Sequence, residues 1–297
     1  MTWIRRYRVE ACLACPLVAF VLLFTVAPII DTARLSFTPP PDGRFPSLAN
    51  YRAIFASDLF RTALGNTIVV ALLSLLLELG GGLAVALTLH GRFRLRAVVR
   101  AALLLPLGVP TIVAGAVMLL VFARSGYLNA MLWMLADAAN RLPGVHWEFT
   151  PPGWTVAGGW RTLLVIAVAD TWKVLPVVTL ILLAGLQSIP AEVYEAADVD
   201  GATSWQRFSR ITLPLLLPYV TIAVVLRAIH AFRIFELALV LAGRVEPVLA
   251  TFIWSRYGPP TNDAFTAAAA SMVLFGAILV FIGLYLRLVR APGEGRP

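Results

Sequence analysis

Lysine is almost missing from this chain. Lys173 is the only one, although lysine and arginine together number 24 against 16 acidic residues, for a formal net charge of +8. Charged residues make up only 13% of the 297 positions while apolar residues reach 60%, a balance no ordinary soluble domain shows. No GxxxxGK[ST] run is present, and the one lysine sits in Trp172-Lys173-Val174, so the chain has no P-loop with which to hydrolyse ATP. HExxH and any clustered nucleophile and base are absent too, which removes the usual grounds for a membrane-embedded enzyme. Cysteine is limited to Cys12 and Cys15, a CxxC at the entrance of an apolar run with no histidine cluster nearby. Small buried packing residues are expected there, with no disulfide and no metal. Basic residues interleaved with aromatics in a stripe, as nucleic-acid binding needs, are not found.

What is present is apolar sequence in spanning lengths. An all-α, polytopic membrane protein is expected, with about six spans: Ala11 to Ile30, Asn66 to Leu89, Ala101 to Phe122, Thr162 to Leu186, Leu215 to Leu241 and Ala267 to Leu288. The first follows Arg5, Arg6 and Arg8 and lacks a small-x-small site after its apolar core, so it reads as a span and not a cleaved leader. Arginine clusters flank the spans. Arg92, Arg94, Arg96 and Arg100 form the densest, and with Arg287, Arg290 and Arg296 they put both termini on the cytoplasmic side by the positive-inside rule. Pro39-Pro40-Pro41 and Asp42-Gly43 mark a turn-rich external loop, and Gly80-Gly81-Gly82 permits close helix approach within the second span. Pro106 and Pro110 kink or break the first half of the third. Arg124 to Trp160 reads as a long external segment.

One stretch between the spans is polar: Glu195 to Pro214, EAADVDGATSWQRFSRITLP. Tyr194-Glu195-Ala196-Ala197 is helix-forming, and Gly201 supplies a residue able to leave the helix through positive φ. Ser204 is read as the N-cap of a second short helix, and Pro214 as a first-turn residue of the span that follows. A helix–glycine–helix element lying flat between two spans results.

Charged residues inside the spans are costly, so each is a functional candidate. Asp170 and Lys173 share a helix face, and Arg227, His230, Arg233 and Glu236 recur at threes as one polar stripe in the fifth span. Such a set lines a hydrophilic passage whose acids and bases hydrogen-bond sugar hydroxyls. Alternatively, the charges pair locally, Asp170 with Lys173 and Arg233 with Glu236, and only fix packing. Glu78 is read as paired or cavity-facing with no partner identified, and His90 and His146 as loop residues without a role.

The polar stretch carries a resemblance. Glu195, Ala196, Ala197, Gly201, Ile211, Leu213 and Pro214 meet every fixed position of the signature of permease subunits of binding-protein-dependent ABC importers: EAA, three residues, glycine, nine residues, Ile-x-Leu-Pro. Residues Ala169 through Pro214, with the RAIHAFRIFELALVLAG run, resemble the carbohydrate branch, in particular the larger maltose-permease type; the first half fits by span count and short patches such as LANYRAIF and GYLN, the latter expected on the face met by the solute-binding protein. The resemblance implies that residues 190–214, Asp198 included, are a cytoplasmic coupling loop docking on a separate ATPase. It places sugar contacts at Asp170, Lys173, Val174, Val177, Arg227 and His230, where this chain departs from the amides and small polar residues of the maltose case. It implies as partners a second homologous permease forming a heterodimer, an ATPase dimer that binds ATP and Mg, an extracytoplasmic binding protein, a sugar such as a di- or oligosaccharide, and membrane lipid, with no cofactor on this chain itself. A permease for glycerol phosphate or another solute, or a secondary transporter using Asp170 or Glu78 as proton site, are the competing readings.

Overall fold

The chain is described from a computed structural model covering residues 8–38, 45–91, 93–155, 158–243 and 245–290. Arg5, Arg6, the turn at residues 39–43, Arg92 and Arg296, used above for topology, lie outside the described residues. Helices alone form the described part, with no strand among them. They are α1 (Arg8–Val21, a π turn Leu22–Val26, then Ala27–Ser36), α2 (Ala49–Ala56), α3 (Asp58–His90), α4 (Arg96–Leu104), α5 (Thr111–Phe122), α6 (Tyr127–Asn140) and α7 (Trp160–Ser188). After these come α8 (Ala191–Val199), α9 (Ser204–Phe232), α10 (Glu236–Ala242), α11 (Leu249–Tyr257) and α12 (Ala264–Arg290). Six stretches are long and apolar enough to cross a membrane: Leu13–Ser36, Asp58–His90, Thr111–Asn140, Trp160–Ser188, Ser204–Phe232 and Ala264–Val289.

Three expectations change. The third spanning stretch begins after Pro110 rather than at Ala101, because Leu105–Gly108 tightens into a 3₁₀ turn and Val109 becomes extended ahead of Pro110. The segment after Phe122 is not a loop throughout: α6 occupies Tyr127–Asn140, capped by Gly126, where an added Cβ would lie 2.3 Å from the Leu120 carbonyl oxygen. The fifth span does not run to Leu241. α9 stops at Phe232, Arg233 leaves the helix, and Glu236 opens α10, so Arg227, His230, Arg233 and Glu236 do not form one stripe on one helix.

By contacts the chain divides into Met1–Arg61 with Phe252–Gly276, and Thr62–Thr251 with Ala277–Pro297. In the first unit, Asn50 Nδ2 donates to the carbonyls of Ser36 and Thr38 at 3.0 and 3.1 Å, satisfying acceptors at and beyond the end of α1, while Ser36 and Tyr51 share a 2.8 Å hydroxyl contact. Phe55, Phe60 and Phe252 stack edge-on at 5.3 and 5.4 Å. Cys15 is exposed, contrary to the expected burial, and α1 carries no buried residue in the apolar window from which its span is defined.

In the second unit α7 is central. Leu163, Ile166 and Ala169 pack with α5 and α10, and Leu182, Leu183 and Leu186 with Ala86, Leu89 and Leu216. Glycine sets the closest approaches. A Cβ on Gly82 would lie 2.8 Å from Val178 Cγ1, and one on Gly185 only 2.5 Å from the Tyr219 ring. Gly80, by contrast, has nothing within 4 Å. Gly185→Ala is therefore expected to lower stability by about 1–3 kcal/mol through overpacking. Gly80→Ala should be neutral or stabilising by up to about 1 kcal/mol from helix propensity. Thermal unfolding of the two purified variants in detergent checks the contrast.

Candidate functional site

Three charged side chains from three long helices meet inside the second unit. The Arg227 guanidinium on α9 donates from Nε to Glu78 Oε2 at 2.7 Å and from Nη2 to Glu78 Oε1 at 2.6 Å, a two-pronged grip on α3. Nη2 also donates to Asp170 Oδ2 on α7 at 2.9 Å. Glu78 is wholly buried and Arg227 only 4% exposed. A lone charge at this depth would be prohibitive, so the two carboxylates and the guanidinium satisfy one another. Glu78 thus has the partner the sequence left open, and Asp170 pairs with Arg227 rather than with Lys173.

Lys173 turns elsewhere. Its Nζ donates to the Val109 carbonyl at 2.6 Å, an acceptor stranded where the 3₁₀ turn ends and Pro110 begins the next helix. Asp170, Lys173, Val174 and Val177 recur at helical spacing on one side of α7; Asp170 is buried and the other three are half-buried. His230 is exposed one turn beyond Arg227, and its Nδ1 donates to the Leu226 carbonyl at 2.8 Å, leaving Nε2 for another partner. Arg233 and Glu236, both exposed, make no ion pair with each other, since the helix break separates them. Among the described residues no three His, Cys, Asp or Glu side chains gather as a metal site.

The polar stretch forms the second feature. α8 ends in a Schellman motif: Gly201 takes φ 72°, its N–H donates to Asp198 O at 3.1 Å, and the Ala202 N–H to Ala197 O at 2.9 Å. The N-cap of the next helix is Thr203, not Ser204. Thr203 and Gln206 form a reciprocal capping box, with Gln206 N–H to Thr203 Oγ1 at 3.3 Å and Thr203 N–H to Gln206 Oε1 at 2.8 Å. That helix is not a separate short one. It passes through a π turn at Phe208–Thr212 directly into the fifth span, and Pro214, which lacks an N–H, follows where the helical register has already slipped. Arg207 bridges back to Asp198 at 2.6 Å, and the Tyr194 and Thr212 hydroxyls meet at 3.1 Å, tying α8 to α9.

Between them lies an open hollow of about 450 Å³ bordered by Ala196, Ala197, Gly201, Gln206, Arg210 and Ile211. Glu195, Asp198, Leu213 and Pro214 are exposed, as are Val199 at 89% and Trp205 at 73%. The GYLN stretch opens α6. Asn129 faces inward, its Nδ2 donating to the Arg124 and Pro152 carbonyls at 2.9 and 3.1 Å and its Oδ1 accepting from Trp154 Nε1 at 2.9 Å, while Tyr127 is exposed.

Removing Arg227 leaves two buried carboxylates without a cation, so Arg227→Met is expected to cost about 3–5 kcal/mol. Asp170→Asn, which leaves the two-pronged Glu78 contact whole, should cost least, with Glu78→Gln between them. Membrane yield and thermal unfolding of the three variants give the ranking.

Comparison with known proteins follows the same lines. The sequence model of the binding-protein-dependent transport system inner membrane component matches residues 78–291. The trehalose/maltose transport system permease protein MalF of Thermococcus litoralis is 35% identical over 93% of this chain and 91% of its own. The arabinooligosaccharides transport system permease protein AraP of Bacillus subtilis is 31% identical over 94% and 88%. A bacterial ABC transporter involved in the import of the acidic polysaccharide alginate superimposes with a TM-score of 0.80 at 24% identity, covering 99% of both chains, a likeness of fold. The chain is a member of the family of binding-protein-dependent transport system inner membrane components.

Proposed function

We propose that the chain is the permease subunit of an ATP-driven ABC importer that carries a sugar, a di- or oligosaccharide, across the cytoplasmic membrane, with both termini inside. The observation that carries this reading is the α8–α9 loop: a glycine-terminated helix beside an open hollow, followed by a helix continuous with a span, in a chain whose relatives are named for trehalose/maltose and arabinooligosaccharide transport. Residues 190–214 are the coupling loop. Glu195, Ala196, Ala197 and Asp198 present α8 to an ATPase dimer, which binds ATP and Mg²⁺; Gly201 fixes the turn; and Ile211, Leu213 and Pro214 set the path into α9. A second permease completes the pathway as a heterodimer, and an extracytoplasmic binding protein delivers the sugar.

Within the bundle the pathway surface is drawn from Lys173, Val174, Val177 and His230. Lys173 and His230 have donor and acceptor capacity beyond their bonds to Val109 and Leu226, and the two valines give an apolar wall suited to a sugar face. Asp170 and Arg227 act behind that surface and hold three helices in register. The engagement of Arg227 by two carboxylates weakens the argument for an anionic substrate such as glycerol phosphate.

The test is purification of the tagged chain from its host with its associated subunits, followed by uptake in vesicles. Recovery of a P-loop ATPase and a second permease, with sugar uptake that requires ATP inside, is expected. Recovery of the chain alone, moving solute without ATP, would establish a secondary transporter instead. Because Gly201 sits at positive φ in open space, Gly201→Val strains the turn by about 1–2 kcal/mol, and ATPase recovery should fall about tenfold. Gly201→Asn, which tolerates that conformation, should retain it.

A further inference from the structure

Two half-buried arginines on α4 differ from the ion-paired Arg227. Arg96 and Arg100 lie one turn apart on the same side of α4, and no acidic side chain forms an ion pair with either among the described residues. Their only shared acceptor is neutral. The Gln187 amide oxygen, in the orientation those donors require, accepts from Nη2 of both guanidinium groups at 3.3 Å. The Nε atoms of both arginines are buried and have no partner. Two positive charges sharing one uncharged amide, with donors left over, suit an anion.

The surroundings identify the chemistry. Next to the pair an open groove of about 270 Å³ runs between α4 and α7, walled by Leu103, Leu104, Leu180, Leu183 and Ala184, with Arg100 and Gln187 at one end. Leu95 just before α4, Val98 and Val99 within it, and Leu105 and Leu107 in the turn after it are exposed, an apolar face with the arginines to one side. Such a helix suits the boundary between headgroups and acyl chains. Gln187 stands at the end of α7, next to the α7–α8 junction, so the site is at the same end of the bundle as the α8–α9 loop. A free phosphate would satisfy the charge but leave the leucine groove open; a neutral lipid would fill the groove but leave the charge.

We propose that Arg96, Arg100 and Gln187 bind the phosphate of an anionic glycerophospholipid, one of whose acyl chains occupies the leucine groove. Paired guanidinium groups match the phosphate oxygens, and the amide holds the two forks at a fixed spacing before the lipid arrives. The inference rests on side chains of α4 and α7 alone and does not require the transport reading to be correct.

The experiment is native mass spectrometry of the purified full chain, in its assembly, after exhaustive delipidation. Phosphatidylglycerol, phosphatidylcholine or inorganic phosphate is added back, and thermal unfolding is recorded in parallel. The wild type should retain phosphatidylglycerol at least about tenfold over phosphatidylcholine and gain thermal stability from it, with no gain from inorganic phosphate. Arg96→Gln with Arg100→Gln should abolish that preference, Arg96→Lys with Arg100→Lys should keep most of it, and Arg124→Gln with Arg233→Gln, which removes equal charge elsewhere, should leave it unchanged. Equal retention of the two lipids by the wild type would overturn the proposal, as would stabilisation by inorganic phosphate alone. So would a Leu104→Cys variant that crosslinks to a neighbouring polypeptide instead of reacting with a lipid-borne probe, since a protein would then occupy the groove.

Discussion

The Glu78–Arg227–Asp170 cluster is the constraint on which the bundle depends. Three spanning helices that are apolar on most of their surface have little in lipid to fix their sliding or rotation, because lipid tails solvate leucine as well as another helix does. A guanidinium with two prongs on α3 and a third contact on α7 does fix them, since each donor must meet its acceptor within a few tenths of an ångström. Slipping α9 by one residue would rotate Arg227 about 100° away and strand three charges. The same cluster sets α7 for its second contact: with Asp170 directed to Arg227, Lys173 lies three residues on and meets the stranded Val109 carbonyl.

From that anchor the path to the α8–α9 loop is short and continuous. α9 runs unbroken from Ser204 to Phe232, so the capping box at Thr203 and the ion-pair cluster at Arg227 lie on one helix. The Arg207–Asp198 bridge and the Tyr194–Thr212 contact bind α8 to its first turns. A force applied to α8 meets the positive-φ turn at Gly201, the π turn at Phe208–Thr212 and the proline at Pro218 before it reaches Arg227. On the proposed function, these are where docking of an ATPase is converted into movement of α9 against α3 and α7.

The general plan was legible in the sequence because long apolar runs have one solution in a bilayer, and Gly201 is the residue a Schellman turn asks for. Boundaries were harder. Pro110 was read as a disturbance within the third span, not its starting point, and the charges of the fifth as one stripe on a continuous helix, so neither break was located. Local pairing by helical spacing misled for Asp170, whose partner lies 57 residues away, and offered no partner for Glu78, 149 residues from Arg227. Only the rule that a buried charge must be neutralised pointed at Glu78 at all, and that rule names no partner. Cys15 was misread for a related reason: in a membrane chain an apolar position is as readily on the outside of a helix as on the inside.

Depth in the bundle then separates two uses of arginine that composition cannot distinguish. Arg227 is enclosed by protein and meets carboxylates supplied by the fold, because nothing else can reach it. Arg96 and Arg100 lie where lipid headgroups are at hand, and the fold supplies only a neutral amide and an apolar groove. A carboxylate at position 187 would neutralise the pair permanently and close the site to anions. Glutamine keeps the two forks aligned while leaving their charge uncompensated, which suits a ligand that the membrane itself provides.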